Sequence, residues 1–453
     1  MSVPTTLEVS GAVERKCGSP VTSIRRQLRW RPTWFVDVER DGEQVAMVVR
    51  GDRVDTEILP LRHEYTFHRL LEERHFRVPH LFGFMDDIDA VLMERVPGRP
   101  DFDGVDTTTR DAIVDEYLQE LARLHSTDPQ PFIEAGIMHP APGQDSGMVT
   151  YDNLERRFRT RKTLPDPFME FSLGWLHRHP PLGDGRLAPS IWDTGQFHHD
   201  DGRLVAILDL EFGYVGDPLG DIATWRMRDT LIPFGDMRKL YARYGELTGK
   251  PVDLEAVKRH HFGACLSNQL IFGPAVATPE PDSDLMNSMQ WNSETNLMAT
   301  EFLGEYMDIE LPADDPIDAR ETRHDRTFDQ LVGSLRSISV ADPETQHRLR
   351  LAFRMARHLQ RRSEIGDALD QADIDDVHDM TGDRPDGWFD AERRLEQFVL
   401  ADAATGRYDE QLTVLFHRRN LRTHQCLGPP KSSMVRHYQC QRFDGTPARM
   451  IQL

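Results

Sequence analysis

Two carboxylates and an amide, Asp193, Gln196 and Asp209, lie close together in a stretch that reads as a β-hairpin. The Asp201-Gly202 pair between Gly195–His199 and Leu204–Leu208 is the strongest turn signal in the chain. Both residue types tolerate the positive φ angles of a two-residue hairpin turn. Such a turn sets Asp200 opposite Arg203 and, counting back, Gln196 opposite Ile207 and Thr194 opposite Asp209. Residues two apart share a face of a sheet, so Gln196 becomes a diagonal neighbour of Asp209. Diagonal backbones are roughly 7–8 Å apart, close enough for both side chains to reach one ion. Asp193 stands at the loop entering the hairpin. An acid that orients or deprotonates a hydroxyl, beside oxygen ligands for Mg²⁺, is the set that phosphoryl transfer needs. On the hairpin alone, the same groups could equally be polar side chains that close the end of two strands.

The elements around this hairpin follow from periodicity. Ile24–Arg31, Trp34–Arg40 and Gln44–Arg50 read as strands, the last two joined by Asp41-Gly42. A helix over Leu61–Arg74 follows, with Glu64, Phe67 and Leu71 on one face, and then strands over Val78–Phe84 and Ala90–Val96 around the acidic turn Asp86-Asp87. Ile113, Tyr117, Leu121 and Leu124 repeat at helical spacing. Helical patterns return at Tyr151–Arg161 and again from Ile222 to about Met307. Residues 308–330, with Asp314-Asp315-Pro316, read as a linker or surface loop. The last third is helical. Leu349, Phe353, Ala356 and Leu359 share one face there and Arg350, Arg354, Arg357 and Arg361 another, a pattern expected of a packed helix with a solvated basic side. The tail after Gly428-Pro429-Pro430 has weak periodicity. This order predicts an α+β chain: an N-terminal, mostly β lobe over 1–97, a mainly helical lobe carrying the hairpin over 98–330, and a helical extension over 331–453.

Downstream of Asp209 and Glu211 come Gly216-Asp217-Pro218 and Asp221. The run from Ile207 to Asp221 resembles the aminoglycoside phosphotransferase family, across about residues 20–310. That resemblance implies a protein-kinase-like two-lobed fold with ATP between the lobes. It implies that Asp209 binds Mg²⁺ and that Asp217 and Asp221 brace the loop. It places Arg50 as the phosphate-contacting basic residue and Glu64 as its helix partner. It makes Met93, Glu94, Arg95 and Val96 the hinge that meets adenine. Leu121–His125 resembles the long helix past the hinge, where His125 is expected to be a packing residue. Two departures stand out. The family's His-Gly-Asp loop is here Ser190-Ile191-Trp192-Asp193-Thr194-Gly195-Gln196. Gln196 takes the register of the family's Asn, and Asp193, the expected catalytic acid, comes two residues closer to it than the family's Asp. The stretch Trp30-Arg31-Pro32-Thr33-Trp34, where a glycine-rich phosphate lid is expected, holds no glycine, which leaves Arg31 to act there by charge. The reading is a Mg²⁺- and ATP-dependent kinase for a hydroxyl on a small molecule. The alternative is a pseudokinase-like regulatory or interaction module with an altered catalytic loop.

Composition sets outer bounds. The chain has 453 residues, a formal net charge of −21, 39% hydrophobic and 28% charged residues. Such a field repels a nucleic-acid backbone, which argues against a DNA or RNA partner. The four cysteines are far apart and match no zinc or redox spacing, as expected of reduced thiols in a cytoplasmic protein. No run of about 18 apolar residues occurs, so no membrane span is expected, and the polar N-terminus does not read as a signal peptide. His198 and His199, adjacent on a strand, point to opposite faces and are not expected to share a metal. Residues 98–188 and 284–307, the latter with Met286, Met289, Trp291 and Met298, could line an acceptor pocket or form core. An antibiotic, an amino alcohol, a sugar and a hydroxyacyl thioester all remain open as acceptors. The extension over 331–453 could cover that site, dock a partner or form a homodimer contact.

Overall fold

The computed structural model describes residues 3–28, 31–52, 58–281, 283–313 and 317–452. In chain order the elements begin with α1 (Thr6–Cys17), β1 (Val21–Gln27), β2 (Thr33–Arg40), β3 (Glu43–Gly51), α2 (Leu61–Glu72), β4 (Leu81–Met85) and β5 (Ala90–Glu94). They continue with α3 (Thr107–Leu124), α4 (Gln130–Glu134), α5 (Val149–Arg161), α6 (Pro167–Arg178), β6 (Ala188–Ser190), β7 (Phe197–Asp200), β8 (Arg203–Ile207) and β9 (Tyr214–Gly216). Then follow α7 (Leu219–Arg228), α8 (Met237–Thr248), α9 (Leu254–Ala277), α10 (Leu285–Met307), α11 (Asp325–Ser337), α12 (Pro343–Thr381), α13 (Trp388–Asp402) and α14 (Asp409–Gln425), with β10 (Arg436–Gln439) and β11 (Arg449–Gln452) at the end. This is the expected α+β class, a small sheet ahead of a mainly helical remainder. The chain forms two compact units. One holds residues 1–150, 181–261 and 443–446, and the other 151–180, 262–442 and 447–453.

The first unit carries the sheet, in the order β1-β2-β3-β5-β4 with every neighbour antiparallel. Period-two alternation splits its side chains between two faces. Trp34, Val36 and Val38 of β2, Met47 and Val49 of β3, and Leu92 of β5 form one core with Val9, Ala12 and Val13 of α1. The opposite face carries Val91 and Met93, packed with Leu61 of α2 and Phe84. Arg50 has the parity of Val48, which packs against this second cluster. That parity brings its side chain to Glu64 of α2. Beyond the sheet, Ile113, Tyr117, Leu121 and Leu124 of α3 are all buried as their spacing predicts, in a core shared with Phe197, Ile207, Ile222 and Trp225.

Several boundaries differ from those read in the sequence. The strand predicted over Ile24–Arg31 is found over Val21–Gln27, β4 starts at Leu81 rather than Val78, and β5 stops at Glu94. Helix α1 was not foreseen in the polar N-terminus. It opens with a reciprocal capping box: Glu8 N donates to Thr5 Oγ1 (3.3 Å) and Thr5 N to Glu8 Oε2 (2.7 Å). It needs only the short stripe Val9, Ala12 and Val13 to dock on the sheet. The weakly periodic tail holds the paired strands β10 and β11. On α12 the predicted division into faces fails. Leu359 is 49% exposed while Arg361 is 7% exposed. Arg354 reaches Gln290 Oε1 at 3.1 Å and Arg361 pairs with Glu364, so the basic side is only partly solvated, with Arg350 exposed. The segment Asp314-Asp315-Pro316 of the expected linker lies outside the described residues. Met286 and Met298 are core, whereas Trp291 is 38% exposed.

The second unit contains a buried cation that ties β10 to α10. His437 has no solvent exposure. Its Nδ1 is 3.0 Å from Glu294 Oε2 and its Nε2 3.0 Å from Glu301 Oε1. Burial alone would press the imidazole pKa down. The two carboxylates, Glu301 foremost, outweigh it and push the value up to about 10. A folded pKa above the unfolded value of about 6.5 contributes stability that is complete below pH 6.5 and is lost as pH rises through 10. We therefore expect His437→Gln to lower unfolding free energy at pH 6 by about 3–5 kcal/mol, since it leaves two buried carboxylates without their cation. The deficit relative to wild type should shrink in melts run above pH 10.

Candidate active site

The loop 191–196 is shaped by α7. Asp221, with no solvent exposure, accepts hydrogen bonds from Ile191 N (2.9 Å) and Trp192 N (2.7 Å). Its Oδ2 also lies 3.0 Å from His125 Nε2, and the other ring nitrogen of His125 meets Tyr244 Oη at 2.8 Å. His125 is thus a fully partnered packing residue. One turn along, Thr224 Oγ1 donates to Trp192 O, and Thr194 Oγ1 donates to Asp221 O at 2.6 Å. Gly195 N donates to Tyr117 Oη at 2.9 Å. These bonds hold Trp192 at φ 62°, a left-handed backbone that a bulky residue adopts only under such constraint. Asp217 accepts from Leu219 N (3.0 Å) and stands near His260 (3.4 Å). Asp221 braces the loop, whereas Asp217 caps the start of α7.

The hairpin forms around the expected turn, with Asp201 at φ 45° and Gly202 at φ 72°. Its register differs from the counted one by a residue. His199 pairs with Leu204 but His198 with Ala206, so Val205 is an inserted bulge residue and Phe197, not Gln196, faces Ile207. Gln196 moves opposite Leu208, whose N donates to Gln196 O at 2.9 Å. Asp209, at φ 58°, turns back out of the strand. Asp is among the few residues that tolerate that backbone. The bulge and the turn together restore the encounter. Gln196 Nε2 donates to Asp193 Oδ2 at 2.6 Å and to Asp209 Oδ2 at 2.9 Å. All three predicted residues converge.

The basic half of the site comes from the sheet. Arg50 Nε lies 2.8 Å from Glu64 Oε1, and its Nη2 bonds Asp209 Oδ1. Burial would lower the Arg50 pKa; Glu64, Asp209 and Glu211 more than reverse this and keep it charged. Arg31 does not stand over the site as a lid charge. It is 2% exposed and donates to Glu64 Oε2 (3.2 Å), Glu211 Oε2 (2.8 Å) and Gly51 O (3.2 Å). Its cation is committed to holding two acids, and its neighbour Trp30 lies outside the described residues. Asp193 is pushed up by burial first, pulled back by Arg228, and pushed up again by Asp209. Arg228 Nη2 bonds its Oδ1. Glu211 was within reach of sequence reading, two residues past Asp209. Arg228 carried no local signal.

Of the residues expected to form the hinge, Met93 and Glu94 end β5, and Arg95 and Val96 follow it. Met93 is buried on β5, packed with Phe84 and Leu61. Glu94 N donates to His80 O (2.8 Å) and Arg95 N to Ala46 O (3.1 Å), while the Arg95 side chain reaches Asp37 (2.6 Å). Among the described residues no hydrogen-bond acceptor pairs with Val96 N. Gly98, at φ 85°, lets the chain press against the hairpin; a Cβ there would lie 2.2 Å from His199 O. Arg99 and His199 exchange two backbone hydrogen bonds of 3.0 and 3.1 Å. His199 Nε2 meets Asp101 O and His198 Nδ1 meets Pro97 O, so neither histidine is directed at a shared metal.

The donor set fits a magnesium nucleotide. Asp209 offers a carboxylate and Gln196 an amide that a half-turn would convert from N–H donor to oxygen ligand, the hard oxygen chemistry that Mg²⁺ selects. The glutamine presents its nitrogen here because two carboxylates face it. The Arg50 guanidinium stands beside this set, between Glu64 and Asp209.

Residues 26–256 match the model of the phosphotransferase enzyme family. A mouse protein, acyl-CoA dehydrogenase family member 10, is 28% identical over 192 residues, which are 37% of this chain and 17% of that protein. The chain therefore spans under a fifth of that relative's length. Among solved structures, choline kinase from Streptococcus pneumoniae matches at 14% identity and a TM-score of 0.48, over 66% of this chain and 99% of that one. A macrolide 2'-phosphotransferase from Brachybacterium faecium matches at 20% identity and a TM-score of 0.44, over 61% and 94%. The family match takes in β2–β5, residues 93–96, the hairpin and α7, just over half of the 453 residues. The chain belongs to the phosphotransferase enzyme family.

Proposed function

We propose that the chain is an ATP- and Mg²⁺-dependent kinase that moves the γ-phosphoryl group to a hydroxyl of a small molecule. The observation that carries this reading is the joining of Asp193 and Asp209 through Gln196, with Arg50 brought onto Asp209 by Glu64. Bound Mg²⁺–ATP supplies the phosphoryl group and neutralises charge on its oxygens. Asp209 and Gln196 hold the cation. Arg50, kept charged and oriented by Glu64, faces the phosphates. Val96 N–H and the carbonyls beside it meet the adenine edge, and Met93 forms the apolar floor behind it. Asp193 accepts the hydrogen bond of the attacking hydroxyl and orients it. Catalysis in such a site is mostly positioning and fixed charge. Residues 1–97 act as the lobe over the nucleotide. Four free cysteines agree with a cytoplasmic setting, where ATP is abundant. Among the described residues no helix is long and apolar enough to cross a membrane.

A second reading, a regulatory module that has given up transfer, is favoured by one observation. Both oxygens of Asp193 already have partners, Arg228 and Gln196. The two readings separate in turnover. ADP release measured against a panel of hydroxylated metabolites should reveal an acceptor. With it, Asp193→Asn should lower kcat by about 10²–10⁴-fold while leaving the KM for ATP little changed. Asp209→Asn should sharply raise the Mg²⁺ concentration needed for turnover. Wild-type rates in both variants would refute the assignment. Mg–ATP at about 100 times its Kd should stabilise the protein by about 2.7 kcal/mol. The absence of any thermal shift at millimolar ligand would remove a nucleotide role altogether.

A further inference from the structure

The Asp193 carboxylate is held from a side that the phosphotransfer reading does not use. Its Oδ2 accepts from Gln196, and its Oδ1 accepts from Arg228, the last residue of α7. Asp221, Thr224 and Arg228 stand at i, i+3 and i+7, one face of the helix. The first two grip the backbone of residues 191–194. The third reaches past the backbone to the side chain. The arginine stem crosses Gly195 closely: a Cβ on Gly195 would lie 2.7 Å from Arg228 Cγ and 3.0 Å from Phe234 Cζ. Gly195 also has φ 90° and is fixed by Tyr117 Oη. The path of the guanidinium is therefore built into the loop, and its side chain is only 19% exposed.

The same loop lacks the histidine expected before its acid and brings that acid two residues closer to the amide. A shortened loop leaves the carboxylate's rotation to be fixed from elsewhere. We propose that Arg228 is a positioning residue for phosphoryl transfer: by tying Oδ1 it fixes the plane of the Asp193 carboxylate, so that Oδ2, released when Gln196 turns its amide oxygen to the cation, is the oxygen that meets the acceptor. The role rests on the reading of Asp193 given above. Arg228 touches no substrate in this role. It acts through Asp193, and a planar guanidinium does so with an orientation that an ammonium reproduces only in part.

The test uses the full chain with Mg–ATP and water as acceptor, reading ADP release, so that no identified substrate is needed. Arg228→Met keeps the stem over Gly195 and removes the donor. It should lower kcat by about 10²-fold, the size of effect expected from a misplaced reacting group, with the KM for Mg–ATP within about twofold of wild type. Arg228→Lys should recover part of the loss. Added guanidinium ion, kept below denaturing concentration, should partly rescue Arg228→Ala. In an Asp193→Asn background, Arg228→Met should cause no further loss, because the two act as a unit. A wild-type kcat in Arg228→Met, alongside an inactive Asp193→Asn, would overturn the role of Arg228 and leave the kinase reading intact. A loss that neither lysine nor guanidinium restores would mark Arg228 as merely structural and overturn it too. Wild-type turnover in Asp193→Asn, or no ADP release from the wild-type chain with water and with every acceptor of the hydroxylated panel, would sink the parent reading and this inference together.

Discussion

Asp221 is a carboxylate with no contact with solvent, and its charge is stabilised by two backbone N–H groups and the ring N–H of His125. An ionised group in that position is tolerable only when its lone pairs are filled. The filling fixes everything above it. Ile191 and Trp192 cannot leave their places, Trp192 is held in a left-handed turn, and Asp193 emerges from that turn aimed at the hairpin. Helix α7 is thereby the base on which the loop is moulded. The Gly-Asp-Pro run that precedes the helix starts it at the right point, with Asp217 accepting from Leu219 N in its first turn.

Above that base lies a compact group of charges. Arg31, Arg50 and Arg228 face Glu64, Asp193, Asp209 and Glu211. Four acids against three bases leave a surplus of one negative charge. Burying such a group is costly for each member alone, and each is retained because its neighbours offset the loss of water. The network joins two parts of the chain that have little else in common chemically. Arg31, Arg50 and Glu64 come from the sheet and its helix, and the other acids and Arg228 from the hairpin, the loop entering it and α7. The arginines hold the acids together.

Much of this was legible in the sequence, for identifiable reasons. Asp-Gly between two apolar runs fixed the hairpin, and counting along it brought Gln196 to Asp209. Arg50 and Glu64 were placed by the family resemblance, and helix periodicity set Glu64 on the packed side with Phe67 and Leu71. What escaped was non-local or cumulative. The bulge at Val205 shifts the register by one residue, and the left-handed turn at Asp209 compensates, so the right encounter was reached through the wrong pairing. Arg228 lies at the far end of a helix whose direction is set by the fold. Arg31 was placed by its segment, but its buried partners could not be seen until Glu211 was brought beside it. Helix α1 had a readable cap in Thr5 and Glu8, yet its apolar stripe is too short to stand out without the sheet it covers. On α12 the pattern of arginines resembled a wet face because burial by neighbouring elements leaves no trace in periodicity.

The close passage of Gly98 beneath His199 has a mechanical consequence. The two hydrogen bonds between Arg99 and His199 splice the strap leaving the sheet to the outer strand of the hairpin. The segment leaving β5 and strand β7 are thus joined by a single short piece of backbone. A tilt of the sheet that followed the seating of a ring at Val96 would be passed through Pro97 and Gly98 as a pull on β7, three residues from Gln196. Any side chain at Gly98 would hold the two segments apart.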